Sequence, residues 1–314
     1  MKLRNVGVLA VVLAAVVSCD KGKAGAKPDV TAVTQSGSAS ADPWSKQAPA
    51  KDPLKKPLLW RIEKDGNTSY LLGTMHVGVD PTTRLPDLVW QKLDEKPTFA
   101  METNLSGVDQ LDIHRKDGTT LKDEIGADYW QKLEHALGAA QADQMLKLKP
   151  MIPATLIAMR GLPRTAAMDG VLSAHAANHN KKIVYLESLA VEAAVLEKWM
   201  NARALKDMLD DLDGTEQRAK QMLAAYVDGD GAKLMAVFDD ERARWIQKGR
   251  PESEFDAQMD DLLYKRNASW IEPIEKLHAE GGGFIAVGAA HTLGPKSVPE
   301  LLEKKGYKVS RITL

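Results

Sequence analysis

SYLLGTMHVGVD, residues 69–80, and GFIAVGAAHTLG, residues 283–294, repeat one pattern near opposite ends of a 314-residue chain. In each stretch an apolar run stops at a glycine, Gly73 or Gly288, and a histidine, His76 or His291, follows three residues later. A short apolar run bounded by glycine is typical of a buried strand. The repeat therefore predicts two strands, each with Gly-x-x-His at its carboxyl end.

Other apolar runs add strands on either side of these two. LLWRIEK, residues 58–64, is joined to the first Gly-x-x-His strand by Asp65-Gly66, and Asp-Gly between apolar segments is a strong hairpin signal. Further short strands are predicted at residues 98–104, 181–188 and 307–312. Helical patterns fill residues 87–95, 121–177, 190–280 and 296–305, with breaks near residues 213–214 and 228–231. We expect an α+β fold close to α/β, with a mixed central sheet built from both chain ends and a large helical insertion.

The N-terminal region lacks this pattern and predicts an exported, lipid-anchored chain. Residues 1–18 join a basic start to a short apolar run, which is typical of a secretory signal. Cys19, the only cysteine, follows this run as in a bacterial lipobox, so lipidation is expected; an ordinary signal peptide with an incidental cysteine is the alternative. Residues 19–57 are polar and predict a disordered tether that attaches the domain to the cell envelope, at either the inner or the outer membrane. The folded domain is expected to span residues 58–314.

Composition limits the partners and the source of stability. The chain has 42 Lys and Arg against 43 Asp and Glu, and its folded part carries no long basic block. This balance argues against nucleic acid as a partner. Since no disulfide is possible in the mature domain, packing must supply its stability.

The histidines of the two repeats are candidates for chemistry. Residues just past strand ends line the crevice in which open α/β sheets bind ligands. A neutral imidazole there can bind a metal or transfer a proton, and glycine lets the backbone approach a ligand closely. The alternative is that both histidines only form hydrogen bonds with nearby loops.

Two glutamates end predicted strands in the same way. Glu102 follows the apolar part of FAMETN, and Glu187 follows that of IVYLES. A carboxylate at such a place is costly to bury unless it is paired or binds a metal, although either side chain could instead emerge into solvent. Two histidines and two acids at four strand ends would suit a divalent ion with open coordination positions.

Three further polar residues allow more than one interpretation. Asp169 is predicted to be the N-cap of a helix. Arg266 and Asn267 are adjacent on a helix, where such a pair usually decorates the surface. Inside a cleft, the same pair could hold a carboxylate ligand or a substrate carbonyl.

The remaining histidines are assigned to the surface or to a helix end. His175 and His179, in HAANH, have the i, i+4 spacing of a helical metal pair. No glutamate follows the first histidine, and the nearby lysines favour an interaction with the helix dipole instead of a metal. His114, His135 and His278 are predicted to be surface residues.

Six segments in order resemble the TraB/GumN family, which includes the Tiki metalloproteases. The segments are LLGTMH, FAMET, MDGVLSAHA, YLES, KRNASW and VGAAHTLGPKSVPELLEKKGYKV, and they cover most of residues 58–314. The resemblance implies a fold similar to that of ChaN-like and erythromycin-esterase-like proteins, with paired β-α units around the cleft. The chain departs from Tiki in its anchor, an N-terminal lipid in place of a C-terminal helix.

The resemblance implies a divalent metal, namely manganese, cobalt or zinc. The family's two Gly-x-x-His motifs and its glutamate fall on His76, His291 and Glu102, which would bind this ion. Gly73 and Gly288 belong to the same motifs and would support the site.

Four further positions match polar positions of the family. Glu187 is implied to be a general base or a partner of the ligands. Arg266 and Asn267 would orient carboxylates or stabilise an oxyanion, and Asp169 would support the site.

Together with the lipobox at Cys19, the resemblance implies a lipid-anchored, metal-dependent hydrolase that acts on peptides. One alternative is an envelope lipoprotein that binds a peptide or haem without turnover; TraB itself is associated with shutting down peptide pheromone signalling, by sequestration or by cleavage. Another is a structural lipoprotein with a vestigial cleft. The oligomeric state stays open.

Overall fold

A computed structural model describes residues 50–104 and 111–313, in which six strands form one mixed sheet. The strands are β1 (Leu59–Lys64), β2 (Asn67–Thr74), β3 (Thr98–Met101), β4 (Lys182–Tyr185), β5 (Gly283–Gly288) and β6 (Lys308–Arg311). They lie in the order β4-β3-β5-β2-β1-β6. The first four in this order run parallel, whereas β1 is antiparallel to both β2 and β6. The predicted mixed sheet from both chain ends is confirmed.

Helices precede β3, separate β3 from β4, and separate β4 from β5. The helices are α1 (Pro81–Arg84), α2 (Asp87–Asp94), α3 (Leu121–Ile125), α4 (Ala127–Leu137), α5 (Ala139–Met145), α6 (Met151–Ala158), α7 (Met168–Asn178), α8 (Leu189–Trp199), α9 (Ala202–Asp210), α10 (Leu212–Asp228), α11 (Gly231–Gln247), α12 (Glu252–Met259), α13 (Lys265–Ala279) and α14 (Val298–Lys304). A π-helical turn, Asp260–Tyr264, joins α12 to α13, and a 3₁₀ turn, Ala289–Thr292, follows β5. Within the described residues, no helix is long and apolar enough to cross a membrane.

The predicted hairpin is confirmed, and its turn explains the Asp-Gly pair. Lys64 pairs with Asn67, and the two residues between them have positive φ angles of 50° at Asp65 and 80° at Gly66. Such a turn matches the right-handed twist of the two strands and favours glycine at its second position. The strands predicted at residues 98–104 and 181–188 are also present, but each spans only four residues.

Three local predictions are wrong. The helix break predicted near residues 213–214 lies at Asp211, because α10 begins at Leu212 and continues through both residues. Leu54 lies within the predicted tether, yet only 2% of it is exposed and its N–H donates to the carbonyl oxygen of Arg84. The packed part of the chain therefore begins at or before Leu54. His278, predicted at the surface, is only 3% exposed.

The contacts of His278 show why the prediction failed. α13 packs against the sheet, and Ser69, in the middle of β2, presents a buried hydroxyl to the ring. The Nε2–H of His278 donates to the carbonyl oxygen of Lys64 at 3.2 Å, so Nδ1 accepts from the Ser69 hydroxyl at 2.8 Å. The same hydroxyl accepts the N–H of Gly283 at 3.1 Å. The polar neighbours of His278 in sequence do not reveal these distant partners.

The described residues contain two large hydrophobic cores and a smaller third cluster around Trp245 and Phe255. The larger core covers both faces of the central strands and includes residues of α2, α7, α10, α13 and α14. A second core lies among α3 to α6 and α9, and Met75, beside His76 at the end of β2, contacts both cores. The carboxyl end of the parallel strands thus lies where the helical part meets the sheet.

Candidate functional site

Four adjacent parallel strands present their polar residues at one edge of the sheet. In the spatial order β4, β3, β5 and β2, the strands are followed by Glu187, Glu102, His291 and His76. The loops after β4 and β3 run side by side, because the N–H of Glu187 donates to the carbonyl oxygen of Glu102 at 2.9 Å. This edge is the one at which open α/β sheets bind ligands.

Gly288 marks the point where three of these side chains meet. A Cβ atom on Gly288 would lie 3.3 Å from Oε1 of Glu102, 3.6 Å from Cδ2 of His291 and 3.8 Å from Nε2 of His76. The Gly288 N–H donates to Oε1 of Glu102 at 2.6 Å. Its φ of −52° is ordinary for any residue, so only the space around it limits a side chain at this position. A gap lined by two imidazoles and a carboxylate results.

Gly73, the glycine of the other repeat, has a packing role. A Cβ atom there would lie 3.1 Å from the Cα atom of Ala289 and 2.9 Å from Oγ1 of Thr292. Its carbonyl oxygen accepts a hydrogen bond from the Tyr226 hydroxyl at 2.9 Å. Gly73 therefore lets β2 lie close to the 3₁₀ turn that carries His291.

The side chain of His291 is held in one tautomer. Asn267 donates from Nδ2 to the carbonyl oxygen of Lys296 at 2.9 Å, which orients its amide so that Oδ1 accepts from Nδ1 of His291 at 2.6 Å. Nε2 of His291 therefore keeps its lone pair, which accepts a long hydrogen bond from Nη1 of Arg266 at 3.4 Å and lies 3.8 Å from Oε1 of Glu102. Burial lowers the pKa of His291 to about 4, so the ring is neutral at pH 7.

Asn267 differs from its predicted role. It is only 1% exposed, and both ends of its amide are used by His291 and Lys296. The described contacts of Asn267 include no carboxylate, and its amide is closed to a substrate. Its side chain positions His291 instead.

His76 is held in a similar way by Asp169. Nδ1 of His76 donates to Oδ2 of Asp169 at 2.7 Å, and the Thr74 hydroxyl donates to Oδ1 of the same carboxylate at 2.7 Å. Burial acts to lower the pKa of His76, but the charge and hydrogen bond of Asp169 outweigh it and raise the pKa to about 9. Two fifths (40%) of the His76 side chain is exposed, so the site opens to solvent on this side.

The N-cap role predicted for Asp169 is wrong. α7 begins at Met168, with Ala167 at the cap position and no side-chain cap bond. Asp169 therefore lies in the first turn of the helix, with only 7% of the residue exposed. Its carboxylate accepts hydrogen bonds from Thr74, the last residue of β2, and from His76 just after the strand, so the contact joins two segments that are distant in sequence.

Arg266 binds the two glutamates together. Its Nε donates to Oε1 of Glu187 at 2.9 Å, and its Nη2 donates to Oε2 of Glu102 at 2.7 Å. Burial would raise the pKa of Glu102, but the neighbouring His291 and Arg266 lower it to about 2. Burial is also the main reason why the pKa of Glu187 is raised, against the hydrogen bonds from Arg266. The π-helical turn before α13 ends at Tyr264, two residues before Arg266, and such turns are frequent at functional sites.

Glu192 is a site residue that the sequence analysis missed. It lies one turn into α8, whose N-cap Ser188 directly follows Glu187. Only 9% of Glu192 is exposed, and its buried Oε2 has no hydrogen-bond partner among the described residues. Burial, followed by the negative charge of Glu102, raises its pKa to about 8. A single acid within the apolar run LAVEAAVL is the signal that could have indicated it.

Comparison with known protein families matches residues 58–311 to the TraB/PrgY/gumN family. This chain belongs to the TraB/PrgY/gumN family. It is also similar to the uncharacterized protein YbaP of Shigella flexneri, with 21% identity over 243 residues that cover 74% of this chain and 87% of the relative. The YbaP protein of Escherichia coli K12 is 21% identical over 251 residues, covering 77% and 90% of the two chains. No solved structure matches.

The donor set of this TraB/PrgY/gumN protein fits a divalent cation. In both histidines, Nδ1 donates a hydrogen bond to an oxygen atom, and the Nε2 side of the ring faces the gap over Gly288. The His291 ring is already neutral, whereas the His76 ring would have to lose a proton to bind a metal. In a metal-binding histidine, the ring nitrogen that does not bind the metal usually donates a hydrogen bond to an oxygen atom. Of the four site carboxyl groups, those of Glu102 and Glu187 pair with Arg266, that of Asp169 pairs with His76, and that of Glu192 has a buried oxygen without a described partner. The buried, unpartnered oxygen of Glu192 is a further indication that positive charge is lacking.

Proposed function

We propose that this TraB/PrgY/gumN protein is a divalent-metal-dependent hydrolase of peptides. The observation that carries the proposal is the convergence of His76, His291 and Glu102 around Gly288, in a site with an excess of buried carboxylates. The peptide substrate rests on the resemblance to Tiki. Attachment to the cell envelope through a lipid on Cys19, which lies outside the described residues, belongs to the same proposal.

Three side chains would hold the ion, and two others would keep them in place. His76, His291 and Glu102 are the proposed ligands, with manganese, cobalt or zinc as the ion. When bound, a divalent ion polarises a carbonyl group and lowers the pKa of a water molecule. Asp169 and Asn267 would hold the imidazoles in the tautomer that directs Nε2 to the ion.

Two residues of the chain would serve the reacting groups. Glu192 has a buried carboxyl oxygen without a partner and a pKa raised to about 8, so it would be protonated at pH 7 and could donate its proton to the leaving amine, to be reprotonated from solvent. Glu187 accepts hydrogen bonds from Arg266 and from the Trp270 indole, so it would position Arg266, and proton transfer would fall to Glu192. Arg266 keeps the carboxylate of Glu102 oriented toward the gap.

The test is manganese-dependent cleavage of a peptide library by the purified full chain, with products identified by mass spectrometry. We expect cleavage by the wild type and by His135→Ala, which changes an exposed histidine of α4 far from the site in sequence. His76→Ala and His291→Ala should abolish it. A peptide that binds and is recovered intact would show a binding module instead. Cleavage that survives both site substitutions would refute the proposed site.

A further inference from the structure

A second cluster of metal-ligand groups lies outside the cleft. Asp94, His175 and His179 each place one potential ligand atom within 4.8 Å of the others. Asp94 is the last residue of α2, whereas the two histidines lie at the C-terminal end of α7. The sequence separates Asp94 from His175 by 81 positions, and the fold brings their side chains into contact.

We infer that Asp94, His175 and His179 form a second metal site, one that takes zinc or a similar late first-row divalent ion. Two imidazoles and one carboxylate, completed by water, are a common ligand set for zinc. Imidazole nitrogen selects zinc, copper or nickel over calcium and magnesium, which prefer oxygen ligands. The inference does not depend on the function proposed for the cleft, since the two sites share no residue.

The present geometry is close to what an ion needs. Nε2 of His175 lies 2.8 Å from Oδ1 of Asp94, and about 3.3 Å separates two ligand atoms in a tetrahedral zinc site. Nδ1 of His179 donates to the carbonyl oxygen of His175 at 2.8 Å, which leaves its Nε2 as the metal-binding nitrogen. The two rings stack with their centroids 4.1 Å apart, so they must turn apart to direct two nitrogens at one ion. His179 is exposed, so solvent surrounds the ring that has to turn.

The nearby positive charge does not neutralise Asp94. Nζ of Lys181 donates to the carbonyl oxygens of Asp94 and Lys96, at 3.0 and 2.8 Å, and so is bonded to backbone instead of to the carboxylate. The lysine opposes a cation through space, but the Asp94 carboxylate keeps only His175 as its described partner. The sequence analysis assigned this histidine pair to the helix dipole because it could not see the third ligand.

Metal at this site would join the ends of α2 and α7. The first turn of α7 contains Asp169, its last turn contains His175 and its C-cap is His179, so one helix connects the two sites. The indole of Trp90, from α2, already packs on His175 with ring centroids 5.0 Å apart. Zinc should therefore raise the melting temperature of the protein even when the cleft cannot bind metal.

The test is a calorimetric zinc titration of the full chain carrying His76→Ala and His291→Ala, so that only the second site remains. We expect one zinc per chain, an increase in melting temperature with zinc but not with magnesium, and at least a tenfold loss of affinity when His179→Gln or Asp94→Asn is added. No zinc binding by the His76→Ala, His291→Ala chain would overturn the inference. Unchanged binding after His179→Gln would also overturn it.

A second measurement covers the case in which the double variant fails to fold. The wild-type chain should bind one more equivalent of zinc than the single variant His179→Gln does. Equal stoichiometry in these two proteins would again refute the second site. Because His179→Gln leaves the cleft residues in place, loss of cleft activity and loss of the second site can be told apart.

Discussion

Gly288→Ala tests the cleft most directly, because the substitution adds one methyl group where three proposed ligands meet. Its Cβ would lie 3.3 Å from Oε1 of Glu102 and 3.6 and 3.8 Å from atoms of His291 and His76. These distances are at or near ordinary van der Waals contact, and the φ of −52° suits alanine. We therefore expect the free energy of unfolding to change by less than about 1 kcal/mol.

The bound state should respond differently. An ion with ligand bonds of about 2.0–2.2 Å draws the ligand atoms inward around the gap that the methyl group now occupies. Crowding of this kind costs about 1–3 kcal/mol. At 1.4 kcal/mol per tenfold change, manganese affinity should fall by about 5- to 150-fold.

Gly73→Ala is the matched comparison, since it adds the same methyl group to the other repeat. Its Cβ would lie 3.1 Å from the Cα atom of Ala289, which belongs to backbone that cannot easily move. We expect a loss of about 1–3 kcal/mol in stability, which lowers the melting temperature by about 2–4 °C for each kcal/mol.

Both variants should be titrated with manganese and melted in the His179→Gln background, which removes the second proposed site. The reasoning predicts that Gly288→Ala keeps its stability and loses affinity, while Gly73→Ala loses stability. Wild-type manganese affinity in Gly288→Ala would refute the assignment of the gap to the metal. A Gly73→Ala protein as stable as the wild type would refute the packing role.

Three further predictions concern separate parts of the molecule. Ser69→Ala leaves Nδ1 of His278 and a buried backbone N–H without a partner, so urea unfolding should show a loss of about 1–3 kcal/mol. Hydrogen bonds from two lysines and an indole lower the pKa of Asp261 from 3.8 to about 2. The contribution of Asp261 to the stability of the folded protein is therefore complete above pH 4 and is lost as the pH falls toward 2. Asp261→Asn should remove about 1 kcal/mol of this acid-dependent stability. The effect is small because the two lysines are exposed. Glu192→Gln should lower kcat for manganese-dependent peptide cleavage by about 10²- to 10⁴-fold.

Two of these predictions have a control variant for the same assay. Ser310→Ala changes an exposed serine of β6 and should leave stability unaltered. Glu197→Gln changes an exposed glutamate of α8, five residues from Glu192, and should keep wild-type kcat. Equal loss of kcat in both α8 variants would contradict a role for Glu192 in proton transfer. An acid-unfolding curve that is identical with and without Asp261 would contradict its lowered pKa.

The strands and their order of appearance follow from local sequence. The Asp65-Gly66 turn and the apolar runs that end at Gly73 and Gly288 depend on neighbouring residues only, so they could be predicted. Once the sheet is mixed and parallel at its centre, Glu102 and Glu187 must emerge at one edge together with the two repeat histidines. The candidate ligands could therefore be predicted from the sequence alone.

The roles of the supporting residues could not be predicted in this way, because they depend on contacts between segments that are distant in sequence. Asp169 looks like a helix cap until α7 is placed beside β2, and His278 looks exposed until α13 covers Ser69. Glu192 and Asp94 carry no local motif, and only the fold shows that one is buried without a partner and that the other meets a histidine pair. Sequence periodicity reports which face of an element is buried, whereas the partners across that face are set by tertiary packing.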